Sequence, residues 1–172
     1  LEKNDLIDQD SNLRGIFYWG HAPNSQTRGL EMKRAMDKLD LLVVVDPYPS
    51  ATAAMAAMPG KPEDLNPNRA VYLLPAATQF ETSGSCTASN RSIQWREKVI
   101  EPLFESRPDH TIMYLLARKF GFDKEFTKNI KVVNDEPLPE DMLREINKGT
   151  WTIGYTGQSP ERLKLHMKNM HT

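Results

Sequence analysis

The run Leu41-Leu42-Val43-Val44-Val45-Asp46-Pro47-Tyr48-Pro49 decides the fold. Five successive aliphatic residues are what a strand covered on both faces requires, and parallel sheets bury their strands in that way. The run stops at a carboxylate, and Pro47 and Pro49 lack the N–H groups that a longer ladder would need. In open α/β sheets the crevice beyond the carboxyl ends of the strands is where nucleotides bind, so Asp46 is the first candidate ligand. An ionised carboxylate accepts only, and takes two donors side by side, which suits ribose hydroxyls or the N–H and amino edge of guanine. The same residue could instead close the turn ahead of Pro47, and the residues alone leave both roles open.

Working outward, Gly15 to Trp19 reads as a short buried strand that ends in the loop-forming string Gly20-His21-Ala22-Pro23-Asn24. A helix from about Ser25 to Leu39 follows, with Met32, Ala35, Met36 and Leu39 on one apolar stripe. After Asp46 come a short Ala- and Met-rich helix from Ala51 to Met58, a Pro-rich loop to Pro67, and a strand from Ala70 to Leu74 closing on Pro75. Thr78 to Asn90 reads as a polar loop, and Ser92 to Val99 as a strand with imperfect alternation. Pro108-Asp109 opens a helix in which Ile112, Met113, Leu116, Ala117 and Phe120 share a face, and Gly121 ends it. Pro139 to Lys148 reads as a helix ended by Gly149, Trp151 to Tyr155 as extended, and Ser159-Pro160-Glu161 as a helix start with Ser as cap. Alternating strands and helices imply an α/β, Rossmann-like fold: a mainly parallel sheet with helices on both faces, plus a helical C-terminal tail.

Composition narrows the functions. The 172 residues carry 22 Lys+Arg against 23 Asp+Glu, a formal charge of -1, so no global field exists to hold a polyanion and nucleic acid is not an expected partner. The single Cys86 excludes an internal disulfide framework and supplies too few thiolates for an iron-sulfur cluster or structural zinc. No apolar run approaches the ~20 residues that span a bilayer. Beginning at Leu1 and ending on His171-Thr172 straight after a helical pattern, the sequence is expected to be a soluble segment excised from a longer chain, with a processed mature protein as the alternative.

Gly20-His21-Ala22 lies between a strand and a helix, where backbone N–H groups and the helix dipole favour a phosphate, or is a plain strand-to-helix turn fixed by Pro23; neither GxGxxG nor GxxxxGK[ST] is present. Asp109 is a helix cap or a ligand. The loop Glu81-Thr82-Ser83-Gly84-Ser85-Cys86-Thr87, rich in small hydroxyls, lines a phosphate or pterin or is simply solvated. His21, His110, His166 and His171 show no metal-ligand spacing, and no nucleophile triad is formed with Cys86.

VVVDPYPSATAAMA followed by YLLPAATQFETSGSCTASNRSIQWREKVIEPLFESRPDHTIMYLLARKFG resembles a stretch of the large subunits of molybdopterin oxidoreductases, over about residues 14 to 122. The tail REINKGTWTIGYTGQSPERLKLHMKNMHT is similar to the respiratory, membrane-bound, selenocysteine-containing formate dehydrogenase branch of that family. The resemblance implies a lead-in over residues 1–13, a cofactor-binding segment over 14–122 and a mostly helical tail over 123–172. It implies a bis(molybdopterin guanine dinucleotide) molybdenum cofactor with Gly20, His21 and Ala22 beside its nucleotide. Val45 and Asp46 would contact guanosine, Thr82 the phosphates or pterin, and Asp109 another donor edge. The molybdenum ligand, the catalytic Arg and the iron-sulfur cysteines of the family have no counterpart here, so catalytic and metal-ligating residues are expected elsewhere and the segment alone is expected to be inactive. The whole protein would oxidise formate to carbon dioxide on the periplasmic side of an inner membrane. It would pass electrons to an iron-sulfur beta subunit and a membrane cytochrome gamma subunit. A non-catalytic interaction module and an independent nucleotide-binding enzyme are the competing readings.

Overall fold

The computed structural model describes residues 13–21, 27–49, 70–150 and 158–167. The chain divides into two compact units, residues 1–76 and 77–172.

In the first unit β1 (Gly15–Trp19), β2 (Leu41–Asp46) and β3 (Ala70–Pro75) form a parallel sheet in the order β1-β2-β3. Trp19 lies opposite Val45, and Asp46 opposite Pro75. The central place of β2 explains its unbroken apolar run, since Leu42, Val43, Val44 and Val45 are all buried. Helix α1 (Gly29–Met36) connects β1 to β2. Its expected stripe is observed: Met36 and Leu39 pack with Tyr18, Leu42 and Val44, and Met32 joins them at the edge. Full burial of each such side chain contributes roughly 1.5–3 kcal/mol. The helix is shorter than its apolar period suggests, because Arg28 adopts a left-handed conformation, φ 65°, and the chain enters the helix only at Gly29. Ala22, and the helix and Pro-rich loop expected between Ala51 and Pro67, lie outside the described residues.

In the second unit the expected polar loop is corrected. Gly84–Thr87 is a strand, β4, paired antiparallel with β5 (Ile93–Arg96), with Ser85 opposite Trp95. Helix α2 (Asp109–Phe120) matches its expected span, and Gly121 ends it in the left-handed region, φ 82°, where glycine carries no Cβ penalty. Its expected apolar face is only partly used. Ile112 and Ala117 are buried, whereas Met113 and Phe120 are exposed, at 40% and 67%. A one-turn helix α3 (Asp123–Phe126) and a small hairpin, β6 (Val132–Val133) with β7 (Glu136–Pro137), follow.

Helix α4 (Pro139–Thr150) runs through Gly149 rather than stopping before it, and the Thr150 hydroxyl donates back to the Ile146 carbonyl at 3.0 Å. Helix α5 (Pro160–Met167) starts as expected: Ser159 Oγ accepts the Arg162 N–H at 3.1 Å, and Pro160 occupies the first helical position. Trp95, Leu143 and Leu163 form the core beneath these helices, with Lys164 Nζ 4.8 Å from the Trp95 ring centre. Residues 151–157, where an extended stretch was expected, lie outside the described residues. Among the described residues no helix is long and apolar enough to cross a membrane.

Candidate functional site

The carboxyl ends of β1 and β2 carry four of the expected residues, Gly20, His21, Val45 and Asp46. The Gly20 N–H donates to the Val45 carbonyl at 2.9 Å, so the chain leaving β1 is tied to the end of β2 just before Asp46. Gly20 has φ 56°, and a Cβ built there would meet nothing within 4 Å among the described residues. Glycine suits this left-handed turn without the Cβ penalty that other residues carry there, and among the described residues its backbone faces open space that a ligand can approach. His21 is exposed, and its ring stacks on Tyr18 with centroids 6.1 Å apart. Val45 is buried and its carbonyl is engaged by Gly20, so it contributes through backbone position rather than through its side chain.

Asp46 is half-buried at the tip of β2. Its Oδ1 accepts the Tyr48 N–H at 3.0 Å, closing a turn of the Asx kind ahead of Pro49, while its backbone carbonyl accepts from Ala76 at 3.2 Å. The turn-closing role is thus realised. Among the described residues it occupies one acceptor position of a group that offers about four, which leaves capacity for donors from a ligand.

In the second unit Thr82 is half-buried, and its hydroxyl donates weakly to the Ser83 carbonyl at 3.3 Å. Its neighbour Glu81 is buried, whereas Ser85, Cys86 and Thr87 are exposed, so only the later part of this stretch is solvated. Glu81 Oε2 accepts the Thr78 N–H at 2.6 Å and Oε1 the Leu103 N–H at 2.7 Å. The Thr78 backbone N–H, the Thr78 hydroxyl and the Leu103 N–H hold this carboxyl below the ordinary glutamate range. Sequence reasoning passed over Glu81, although Thr78-Gln79-Phe80-Glu81 has the T-x-x-E spacing in which a glutamate reaches back to the threonine N–H. Here that spacing closes a turn instead of opening a helix.

Asp109 is not the cap of α2. The N-cap is Pro108, without a side-chain cap bond, and Asp109 is the exposed first helical residue, where a negative charge suits the helix dipole. A cleft of about 460 Å³ opens beside this helix start, lined among others by Glu101, Arg107, Thr111, Asn134 and Glu136. His110 is half-buried, with Nε2 3.6 Å from Glu136 Oε1. Burial lowers its pKa, and Glu136 offsets that only in part. Among the described residues no group of three or more His, Cys, Asp or Glu could hold a metal ion, and Cys86 is exposed and unpaired with any other cysteine.

A family model described as molybdopterin oxidoreductase matches residues 2–119. The chain is 29% identical, over 94% of its length, to a protein of Methanocaldococcus jannaschii named F420-dependent formate dehydrogenase subunit alpha, and covers 21% of that protein. It is 27% identical over 95% of its length to a Staphylococcus aureus protein provisionally named as a formate dehydrogenase, of which it covers 14%. A Staphylococcus haemolyticus protein with the same provisional name is 29% identical over 90% of the chain, which covers 13% of it. The chain therefore spans about an eighth to a fifth of the length of these relatives.

Proposed function

This chain belongs to the molybdopterin oxidoreductase family, and we propose that it holds the guanosine end of a molybdopterin guanine dinucleotide within a longer formate-oxidising enzyme. The observation that carries the proposal is the strand-end turn, where the open Gly20 backbone is tied to Val45 immediately before the Asp46 carboxylate. That donor and acceptor set fits the group: a carboxylate with spare acceptor capacity takes the paired N–H and amino donors of guanine, and a glycine without a Cβ lets a phosphate come close. Asp109, exposed at the start of α2, is assigned as a further acceptor, and Thr82 as a hydroxyl contact to phosphate or pterin. His21 stands beside Gly20 and borders the same turn.

When bound, the cofactor supplies the two-electron redox chemistry at molybdenum. What this chain supplies is binding and orientation: Asp46 accepts, Gly20 yields space, and the β2 ladder fixes both. The names of the relatives support formate as the substrate of the full-length protein. The similarity of the tail to the respiratory branch supports an iron-sulfur cluster elsewhere in the polypeptide, the bis form of the cofactor, iron-sulfur and cytochrome partner subunits, and a periplasmic site of action.

Calorimetric titration of the chain with GDP, GMP, ADP and NAD tests the assignment. A preference for the guanine nucleotides that weakens in Asp109→Ala supports it. Preference for NAD, or equal affinity for ADP and GDP, would assign the strand end to a different ligand.

A further inference from the structure

The loop that carries Thr82 and the segment that leads into α2 are separate in sequence, and Glu81 joins them. Its two carboxylate oxygens are divided between them: Oε2 takes the Thr78 N–H at 2.6 Å, at the base of the Thr82 loop, and Oε1 takes the Leu103 N–H at 2.7 Å, six residues before Asp109. The residue is 3% exposed, so the charge has been drawn out of water and is satisfied by these donors. Among the described residues no cation forms an ion pair with it. Two oxygens of one anion facing two N–H groups is an arrangement that an uncharged amide cannot reproduce, because its nitrogen would face one of the donors.

Further bonds surround this one. The Phe80 carbonyl accepts from Val99 at 2.8 Å and from Ile100 at 3.2 Å, Ser83 Oγ accepts the Lys98 N–H at 2.8 Å, and the Ala77 N–H donates to Arg107 at 2.8 Å. These hold the two segments side by side when the carboxylate is lost. The Glu81 bonds alone fix the point at which the base of the Thr82 loop meets Leu103, between the stitches at Ile100 and Arg107.

We propose that Glu81 is a positioning residue that clasps the Thr82 loop to the lead-in of α2 and so presets the spacing of Thr82 and Asp109 for the nucleotide. This rests on the cofactor reading above. It adds a residue that touches no ligand and acts through two that do.

The test uses the 172-residue chain, with GDP as the probe, and compares wild type with Glu81→Gln and Leu143→Ala. Glu81→Gln keeps the shape and removes one arm of the clasp. Leu143→Ala loosens the core with Trp95 and Leu163 in the same unit, and leaves the clasp untouched. In Glu81→Gln whichever of the Thr78 and Leu103 amides faces the new nitrogen should exchange hydrogen about tenfold faster and the Kd for GDP should rise about tenfold, each the result of losing about 1.4 kcal/mol. Leu143→Ala should lower Tm and leave the Kd within about twofold. Unchanged exchange of both the Thr78 and the Leu103 amides in Glu81→Gln would show that there is no clasp. Faster exchange with unchanged Kd would show that the clasp does not preset the site, and an equal rise in Kd for Leu143→Ala would reduce the effect to general stability. Failure of the wild type to bind GDP would overturn the cofactor reading itself, and is told apart by the exchange result. If Glu81→Gln does not fold, Glu81→Asp carries the same expectation, since it keeps the charge and is one methylene too short to reach both donors.

Discussion

Replacing Asp46 by Asn separates the two roles that its position permits. The carboxylate closes a turn by accepting the Tyr48 N–H at 3.0 Å. An asparagine oxygen closes the same turn, so Asp46→Asn should change stability by no more than ~0.5 kcal/mol. Ligand donors respond differently. Asparagine has one oxygen, already engaged by Tyr48, and its amino group would face the ring N–H and amino group of guanine. A hydrogen bond to a charged acceptor contributes about 1.5–3 kcal/mol, and at ~1.4 kcal/mol per decade its loss weakens GDP binding roughly 10- to 150-fold. Asp46→Ala forfeits the turn as well and should add about 1 kcal/mol of destabilisation to the same loss of affinity. Calorimetric titration with GDP, run beside urea unfolding of the same three proteins, reads both quantities. Wild-type affinity in Asp46→Asn would show that the carboxylate is no ligand and that Asp46 is a turn residue only. Equal destabilisation by Asn and Ala would sink the Asx-turn account.

Leu42 is fully buried on the central strand against Met36 and Leu39, so Leu42→Ala should cost about 2–5 kcal/mol by urea unfolding, whereas Leu30→Ala on the exposed side of α1 should cost under ~0.5 kcal/mol. Similar losses for the two would contradict the placement of the core. Gly121→Ala should destabilise by about 1 kcal/mol from its left-handed φ of 82° alone, because an added Cβ meets nothing within 4 Å; a loss above ~3 kcal/mol would mean that a clash exists there. Burial holds His110 below its ordinary pKa of 6.5, so the unfolded chain takes up the proton first as pH falls. Stability should therefore be full above pH 6.5, decline as pH drops toward the folded-state value, and level off below it. The decline should vanish in His110→Gln, and an imidazole NMR titration with a midpoint above 6.5 would contradict this environment. Supplied with molybdenum cofactor and formate, the chain by itself should show no formate oxidation; turnover would place catalytic groups within these 172 residues.

Elements with a strong local signal were legible in the sequence. The apolar run of β2, the stripe of α1, the Gly121 stop of α2 and the Ser159-Pro160 start of α5 each state their structure through side chains that no other structure satisfies as well. Strand β4 was not legible. Gly84-Ser85-Cys86-Thr87 is polar and largely exposed, and becomes a strand because Ile93–Arg96 offers a backbone ladder. Met113 and Phe120 show the converse failure, since helical periodicity reports which residues share a face and not whether anything covers it. At the candidate site, the turn-closing role of Asp46 was one of the two readings its place before Pro47 offered, yet which N–H it would take was not legible.

The sequence by itself determined the parallel α/β core and the acid at its strand end, because apolar periodicity and proline breaks act through near neighbours and leave their mark in local order. Only the tertiary structure decided what each acid does. Glu81 and Asp109 are both acids in polar surroundings in the chain; one is buried with one oxygen on the nearby Thr78 N–H and the other on Leu103, 22 residues on, and the other acid stands exposed at a helix start. Burial and hydrogen-bond partners come from residues far along the chain, and those contacts exist only once the backbone has brought the segments together.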